Sequence, residues 1–454
     1  MKKRKSRALC LFLACLMLAG CGNTKDKGSE NGGKAEPTAA AEPAVTAEAK
    51  EPTATPAPTA TPEPTATPEP TATETPVEEV NMKDYGDKYI NVGMQLLDET
   101  IRKYYNKKTG SLKTSLINDA EATLWPFASF LEALSESLMR DPENEELREV
   151  YKSALDIGLQ GYRVENATIK APAGTFSGQL YFNAGWHTAG DYYYDDNAWI
   201  CFQLFTAYDL LGDRKYLDDA LKLLEFFWTG YDTEVLGGGV YWDKTYGKGK
   251  GICTNAPITI CYLIGYQKTG EQEYLDRALN LYNWMINSPL MTQDWTIHAG
   301  FTEDGKVDNW IAAYDQGTLI YATSLLYEIT GDSTYLTNAG KIAMGASKLI
   351  FKKQGDSYVM KGNPIFKTWC IGWAVRGMEK YYAACNIKTH TFMEHMYEVL
   401  DVNMTTKNAA GQYDPFFSTG DWWDQPGYDT DVIQPSGMCV IYTLSGDLHK
   451  QDAK

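Results

Sequence analysis

Three stretches of this chain can be laid over one another: LLGDRKYLDDALKLL from Leu210, KTGEQEYLDRALNLY from Lys268 and ITGDSTYLTNAGKIA from Ile329. Each carries the pattern Gly-acid-x-x-Tyr-Leu-x-x-Ala, and the glycines at 212, 270 and 331 stand 58 and 61 residues apart. Fifteen residues before each glycine, an apolar run with helical spacing opens at Asn197, Asn255 or Gln316. A helix, a Gly stop and a second helix starting near Tyr-Leu account for the pattern. The template extends with lower fidelity to openers at Trp125, Cys370 and Gln434, the last unit running out near the C-terminus. Six hairpins of about 60 residues predict an all-α (α/α)6 barrel, its more apolar first helices inside and its amphipathic YLxxA helices outside. An open α-solenoid of the same units is the alternative; six units, few polar caps and 13% aromatic residues favour closure. Short extended pieces such as GGGVYWDK (Gly237 to Lys244) are expected to form small strands in the loops.

The N-terminus lies outside this pattern. MKKRKSRA is a basic segment, and the apolar run LCLFLACLMLAG is too short to span a membrane comfortably. It ends in Leu18-Ala19-Gly20-Cys21, which resembles the lipobox of bacterial lipoproteins, so residues 1–20 are expected to be a signal peptide. Cys21 is then the lipidation site and the membrane anchor of an extracellular, surface-displayed lipoprotein. An ordinary secretory signal with a chance cysteine is the alternative. Residues 21–80 are rich in Thr, Pro and Glu and nearly free of large apolar side chains, as expected of a disordered, extended stalk. The remaining residues, 81–454, show no second break and are read as one catalytic domain.

The formal net charge is −17, and loss of the leader's five basic residues leaves −22 for residues 21–454. That surface disfavours nucleic acid, teichoic acid and anionic lipid and suits a neutral substrate. Of nine cysteines, Cys10 and Cys15 leave with the leader. The six beyond Cys21 (Cys201, Cys253, Cys261, Cys370, Cys385 and Cys439) sit in apolar helical stretches without a C-x-x-C, and read mostly as small core residues. The histidines show no zinc spacing, so no metal is expected.

If the first helices run parallel in a ring, the residues just before each opener share one cleft. These are Leu124-Trp125, Tyr194-Asp195-Asp196, Thr254-Asn255, Tyr314-Asp315-Gln316, Thr368-Trp369 and Asp431 to Gln434, with Tyr241, Trp242 and Asp243 from the preceding loop. Carboxylates, amides and tryptophans around one pocket suit a carbohydrate: rings stack on sugar faces, and polar groups bind hydroxyls. Asp195 and Asp196 open the second inner helix, where an aspartate is also a favoured N-cap. A cap needs one aspartate, however, and the second adds repulsion. Aromatic neighbours raise the pKa of the less solvated carboxyl while the other stays ionised, the asymmetry that glycoside hydrolysis uses.

YYDDNAW, followed by GGGVYWD, TNAP, AYDQG and the repeated TGDxxYLxxA, resembles glycoside hydrolase family 76 from about Thr123 to Thr443. The resemblance implies an endo-acting α-1,6-mannanase on an (α/α)6 barrel, with a retaining mechanism in which Asp195 is the nucleophile and Asp196 the general acid/base. Tyr194, Trp242, Asn255, Asp315 and Gln316 are the candidate substrate-binding residues. The substrate is expected to be α-mannan or a mannooligosaccharide, with no cofactor and a monomeric protein. One departure from the family is Asp315, where its members usually carry Asn; this replaces donors with a charge and bears on the substrate more than on the reaction. A transglycosidase acting on mannosyl glycans and a non-catalytic sugar-binding surface lipoprotein are the rival readings. TEDGKVDN (Thr302 to Asn309) lacks calcium-loop spacing, and GKGKG (Gly247 to Gly251) lacks the Lys-Ser/Thr of a P-loop; both read as loops. DWWDQPGYDTD (Asp421 to Asp431) suits core packing of Trp422 and Trp423 as well as sugar stacking, and His187 reads as an exposed structural residue.

Overall fold

The computed structural model describes residues 83–452 apart from 184–185, 189, 247–248, 362–366, 388–390, 409–410, 416 and 418–430. The signal peptide, Cys21, the stalk, Trp422 and Trp423 all lie outside the described residues. Among the described residues, twelve α-helices follow in chain order. They are α1 (Lys88–Tyr104), α2 (Leu124–Arg140), α3 (Glu145–Ser153), α4 (Tyr194–Leu211), α5 (Arg214–Thr229) and α6 (Ile252–Thr269), then α7 (Gln272–Asn287), α8 (Ala313–Thr330), α9 (Ser333–Ile350), α10 (Lys367–Cys385), α11 (Thr391–Thr405) and α12 (Ile433–Asp452).

The even-numbered helices pack in sequence, α2 on α4, α4 on α6 and so on to α12, which packs back on α2. The ring is closed, as an (α/α)6 barrel requires, and the open solenoid is set aside. The difference between layers follows from composition. Helix α4 buries residues all round its circumference, whereas α5 buries one face carrying Tyr216, Leu217, Ala220, Leu223, Leu224 and Phe227.

The repeated Gly-acid pair turns one helix into the next. Gly212, Gly270 and Gly331 end α4, α6 and α8 in the left-handed region, at φ 72°, 76° and 72°, where a side chain is strained. The acids that follow Gly212 and Gly331 then cap the next helix: Asp213 accepts from Lys215 N–H at 3.0 Å and Asp332 from Thr334 N–H at 2.8 Å.

The sixth hairpin departs from the sequence reading. Its outer helix comes from the other end of the domain: α1 packs along α12. Asp87 caps α1 through Tyr89 N–H at 2.9 Å, and its second oxygen meets His449 Nδ1 in the last turn of α12 at 2.6 Å. The two helices touch closely, since a Cβ on Gly446 would lie 2.4 Å from Ile90 Cγ1. Helix α1 therefore starts at the face opposite the inner-helix N-termini.

Inside the ring, buried charges join three inner helices. Arg376 of α10 reaches Glu132 at 2.8 Å and Glu136 at 2.5 Å on α2. Arg140 of α2 pairs with Glu136 and, at 2.6 Å, with Asp447 of α12. Burial pushes the nearby Glu379 up to about 7, so this carboxyl takes up a proton near neutrality. Small β elements decorate the loops: the hairpin β1 (Arg163–Ala171) with β2 (Gly174–Tyr181), the sheet β3 (Lys250–Gly251), β4 (Gly300–Phe301) and β5 (Val307–Asp308), and the hairpin β6 (Phe351–Gln354) with β7 (Ser357–Met360). In GGGVYWDK, Val240 bridges Tyr231 and Asp243 bridges Tyr193 as isolated pairs.

Replacing one member of a buried ion network leaves its partners uncompensated. Arg376→Met is therefore expected to cost about 3–5 kcal/mol in urea-monitored unfolding. A loss no larger than about 0.5 kcal/mol, the usual size at a surface site, contradicts the bolting role.

Candidate active site

Helix α4 is capped by Tyr193, with no side-chain cap bond, so neither aspartate is the cap. Both stand in the first turn, at the positive end of the helix dipole. The Asp195 carboxyl collects donors: Asp196 N–H at 2.9 Å on Oδ1 and the Trp242 indole N–H at 2.8 Å on Oδ2. Asp196 is 6% exposed, and its Oδ2 has no hydrogen-bond partner among the described residues.

These surroundings separate the two acids. Burial raises Asp195 to about 6, against the pull of Trp242 and the amide donors. Burial and the charge of Asp195 raise Asp196 well above the ordinary carboxylate range. Asp195 ionises first because its charge is solvated by donors; Asp196 keeps its proton because its environment offers none. Of the two, the Asp195 carboxyl is the better placed to carry charge and the Asp196 carboxyl the better placed to hold a proton.

Trp242 reaches Asp195 because the loop before α6 is fixed at three levels. Asn255, the fourth residue of α6, accepts from Val240 N–H at 2.7 Å and donates to Val240 C=O at 3.0 Å and Gly251 C=O at 2.8 Å. The Lys250 ammonium donates to the carbonyls of Asp232, Val235 and Gly238 at 2.7–2.8 Å and lies 4.6 Å from the Tyr241 ring centre. Burial pulls Lys250 down to about 8 against Asp232. Tyr194 N–H then donates to Trp242 C=O at 3.0 Å. Within GKGKG, read from sequence as a flexible loop, Lys250 is thus a structural anchor.

The Asn255 arrangement recurs in the two neighbouring hairpins. Asn197 of α4 accepts from Tyr181 N–H and donates to Tyr181 C=O and Tyr193 C=O, all at 2.9 Å. Gln316 of α8 treats Ile297 and Ala312 alike, at 2.8, 2.9 and 3.0 Å. Each is the fourth residue of its helix and fully buried. The amides of Asn255 and Gln316, expected among the sugar-binding side chains, are spent on backbone. Tyr194, expected beside them, is 0% exposed, stacks on Phe226 at 4.5 Å and hydrogen bonds to Thr229 and Tyr246. Asp315 is 0% exposed, its two oxygens lack partners among the described residues, and burial raises it well above the carboxylate range. Its burial therefore works against the third charge in the cleft that the sequence suggested.

The aromatic wall of the site comes from other rim positions. Trp310 contacts Tyr314, Tyr314 contacts Trp369 at 5.5 Å, and Trp369 meets Trp125 and Trp199 at 5.4 and 4.7 Å. Trp242 lies against Tyr193 at 5.0 Å. Trp125, Trp242, Trp310 and Tyr314 are half-buried, leaving ring surface for a ligand. Among the described residues, no group of three or more His, Cys, Asp or Glu is placed to hold a metal ion.

The family model for glycosyl hydrolase family 76 matches residues 90–421. The chain belongs to that family. Its fold is shared with the family 76 α-1,6-mannanase from Salegentibacter sp. HEL1_6, at TM-score 0.64 and 21% identity over 79% of this chain and 99% of that one. Curated relatives match over shorter stretches. A D-mannose isomerase of Thermobifida fusca is 22% identical over 250 residues, half of this chain and 56% of the isomerase. The mannan endo-1,6-alpha-mannosidase DCW1 of Saccharomyces cerevisiae is 27% identical over 131 residues, 27% of this chain and 29% of that protein.

The family's rim loops rest here on buried amides, and removing one leaves backbone groups without partners. Asn255→Ala is expected to cost about 1–3 kcal/mol in unfolding assays, and to lower kcat as Trp242 drifts from Asp195. A rise in KM alone, with stability intact, contradicts the clamp and restores a sugar-binding role.

Proposed function

We propose that this family 76 protein is a glycoside hydrolase that cuts α-1,6-mannosidic bonds in mannan backbones with retention of configuration. The observation that carries the reading is the split environment of Asp195 and Asp196. In the first step the Asp195 carboxylate attacks the anomeric carbon. The glycosidic C–O bond breaks as Asp196 gives its proton to the departing oxygen. In the second, the Asp196 carboxylate takes a proton from water, whose oxygen attacks the same carbon and displaces Asp195. Trp242 holds the nucleophile, and Trp125, Trp310 and Tyr314 offer faces for the sugar rings.

Support for the linkage comes from relatives. The Salegentibacter mannanase loses activity when two consecutive aspartates are replaced, and that inactive variant binds α-1,6-mannotetrose. The yeast relative is a mannan endo-1,6-alpha-mannosidase. Hydrolysis is favoured over the isomerase relative's activity by the adjacent carboxyls, one charged and one protonated, which glycosidic cleavage requires at the same moment. The same proposal places the protein outside the cytoplasm as a monomer, tethered through a lipid on Cys21 and the stalk of residues 21–80; the sequence carries that part.

Asp195→Asn and Asp196→Asn, each folded by circular dichroism, are expected to lower kcat/KM on α-1,6-mannan by at least about 10³-fold. Because Asp195 must be ionised and Asp196 protonated, kcat/KM of the parent protein should fall below about pH 6 and fall again where Asp196 loses its proton. Undiminished hydrolysis by either variant overturns the assignment. Tight glycan binding without reducing-end release by the parent protein favours the non-catalytic alternative.

A further inference from the structure

Leu236, Gly237, Gly238 and Gly239, in the loop after α5, all take positive φ, at 59°, 73°, 150° and 84°. A leucine in that region is strained, and surrounding groups must hold it there. Trp284 of α7 is one of them: its indole N–H donates to Leu236 C=O at 3.0 Å, and a Cβ on Gly239 would sit 2.9 Å from its ring. The other is the Lys250 ammonium, which is 0% exposed and meets the carbonyls of Asp232, Val235 and Gly238 at 2.8, 2.7 and 2.7 Å. An ammonium has three donors and no acceptor, so the three carbonyls use all of them. The Asp232 carboxylate stands 3.9 Å away and accepts from the Tyr241 hydroxyl, whose ring lies over Nζ. Lys250 is itself held by backbone, paired with Phe301 between β3 and β4.

This cage is joined to the site at two points. The curled loop runs directly into Val240, Tyr241 and Trp242, and Trp242 N–H donates to the carbonyl of Gly249, the residue before Lys250, at 3.2 Å. We propose that Lys250 is a positioning residue: its ammonium is a built-in cation that gathers the loop carbonyls and thereby holds the Trp242 indole N–H on Asp195. The inference rests on the hydrolase reading for its kinetic consequence but not for the cage itself. The Asn255 clamp fixes one residue, Val240, whereas Lys250 sets the curl from Asp232 to Gly239. Without the ammonium three buried carbonyls lose their donors at once, and the loop opens toward water to recover them. Methionine at this position fills similar space but donates nothing, which separates the charge from the packing.

A double-mutant cycle tests whether Lys250 acts through Trp242. Trp242→Phe keeps a ring but loses the donor on Asp195, and should lower kcat on α-1,6-mannan about ten- to hundredfold. Lys250→Met should lower kcat about three- to tenfold with KM held within about twofold. Both should move the acid limb of kcat/KM upward, because Asp195 loses a donor that favours its charged form. In the double variant the losses should not add, and kcat should match that of Trp242→Phe within about twofold. Additive losses, or a Lys250→Met protein whose acid limb stays in place, overturn the positioning role. The cage is tested without substrate. Lys250→Ala removes the equivalent of a propylammonium ion, and adding that ion should raise the variant's Tm but not the parent's, while propanol raises neither. A variant that propylammonium does not stabilise overturns the built-in cation. Amine-dependent stabilisation, where the parent protein cleaves no mannan, upholds the cage and refutes the hydrolase reading instead.

Discussion

Three buried amides decide where the rim of this barrel lies. Asn197, Asn255 and Gln316 each grip one residue of the preceding loop by both its N–H and its C=O, and tie it to a carbonyl one turn back on their own helix. A loop carries unpaired backbone groups, and placing one over a packed lumen is costly unless those groups find partners. The clamp supplies them from the helix that follows, so the repeat carries its own loop support. Through Asn255 that support reaches Val240, two residues before Trp242, and through Trp242 it reaches Asp195.

The site built on this frame is energetically expensive. The unfolded chain releases the Asp195 proton near 3.8 and the folded one near 6, so the unfolded state binds fewer protons in that interval. Stability therefore falls as the pH rises from 3.8 to 6. Asp196 adds to the cost in the same direction. The lumen beneath compensates its acids where it can, with Arg376 and Arg140 among Glu132, Glu136 and Asp447. At the rim no cation is among the groups that shift the pair among the described residues, and dipoles (an amide and an indole) hold the charge. A cation there would lower both acids together; dipoles aimed at Asp195 alone leave Asp196 protonated.

Much of this was legible in the sequence. Gly212, Gly270 and Gly331, each followed by an acid, marked the helix ends because a left-handed cap and an N-cap demand those residue types. The openers at Asn197, Asn255 and Gln316 located the rim within three residues of the observed helix starts. What the period could not convey was direction. Consecutive residues near a helix start point about 100° apart, so Asp196 and Asn197 share an address but face different neighbours. Asn255 and Gln316 were read as sugar ligands for this reason. The outer helix of the sixth hairpin was missed because Lys88–Tyr104 lacks the Tyr-Leu-x-x-Ala signature and lies some 330 residues before its partner.

The central claim is that donors around Asp195 make it the nucleophile of a retaining glycosidase, with Asp196 as its acid. It is tested most directly by trapping the covalent intermediate with a fluorinated α-1,6-mannobiosyl analogue that bonds to the protein quickly and hydrolyses slowly. Peptide mass spectrometry should find one glycosyl adduct, on Asp195, absent from the Asp195→Asn protein. An adduct on Asp196 or elsewhere, or hydrolysis to product of inverted configuration without an adduct, contradicts the account.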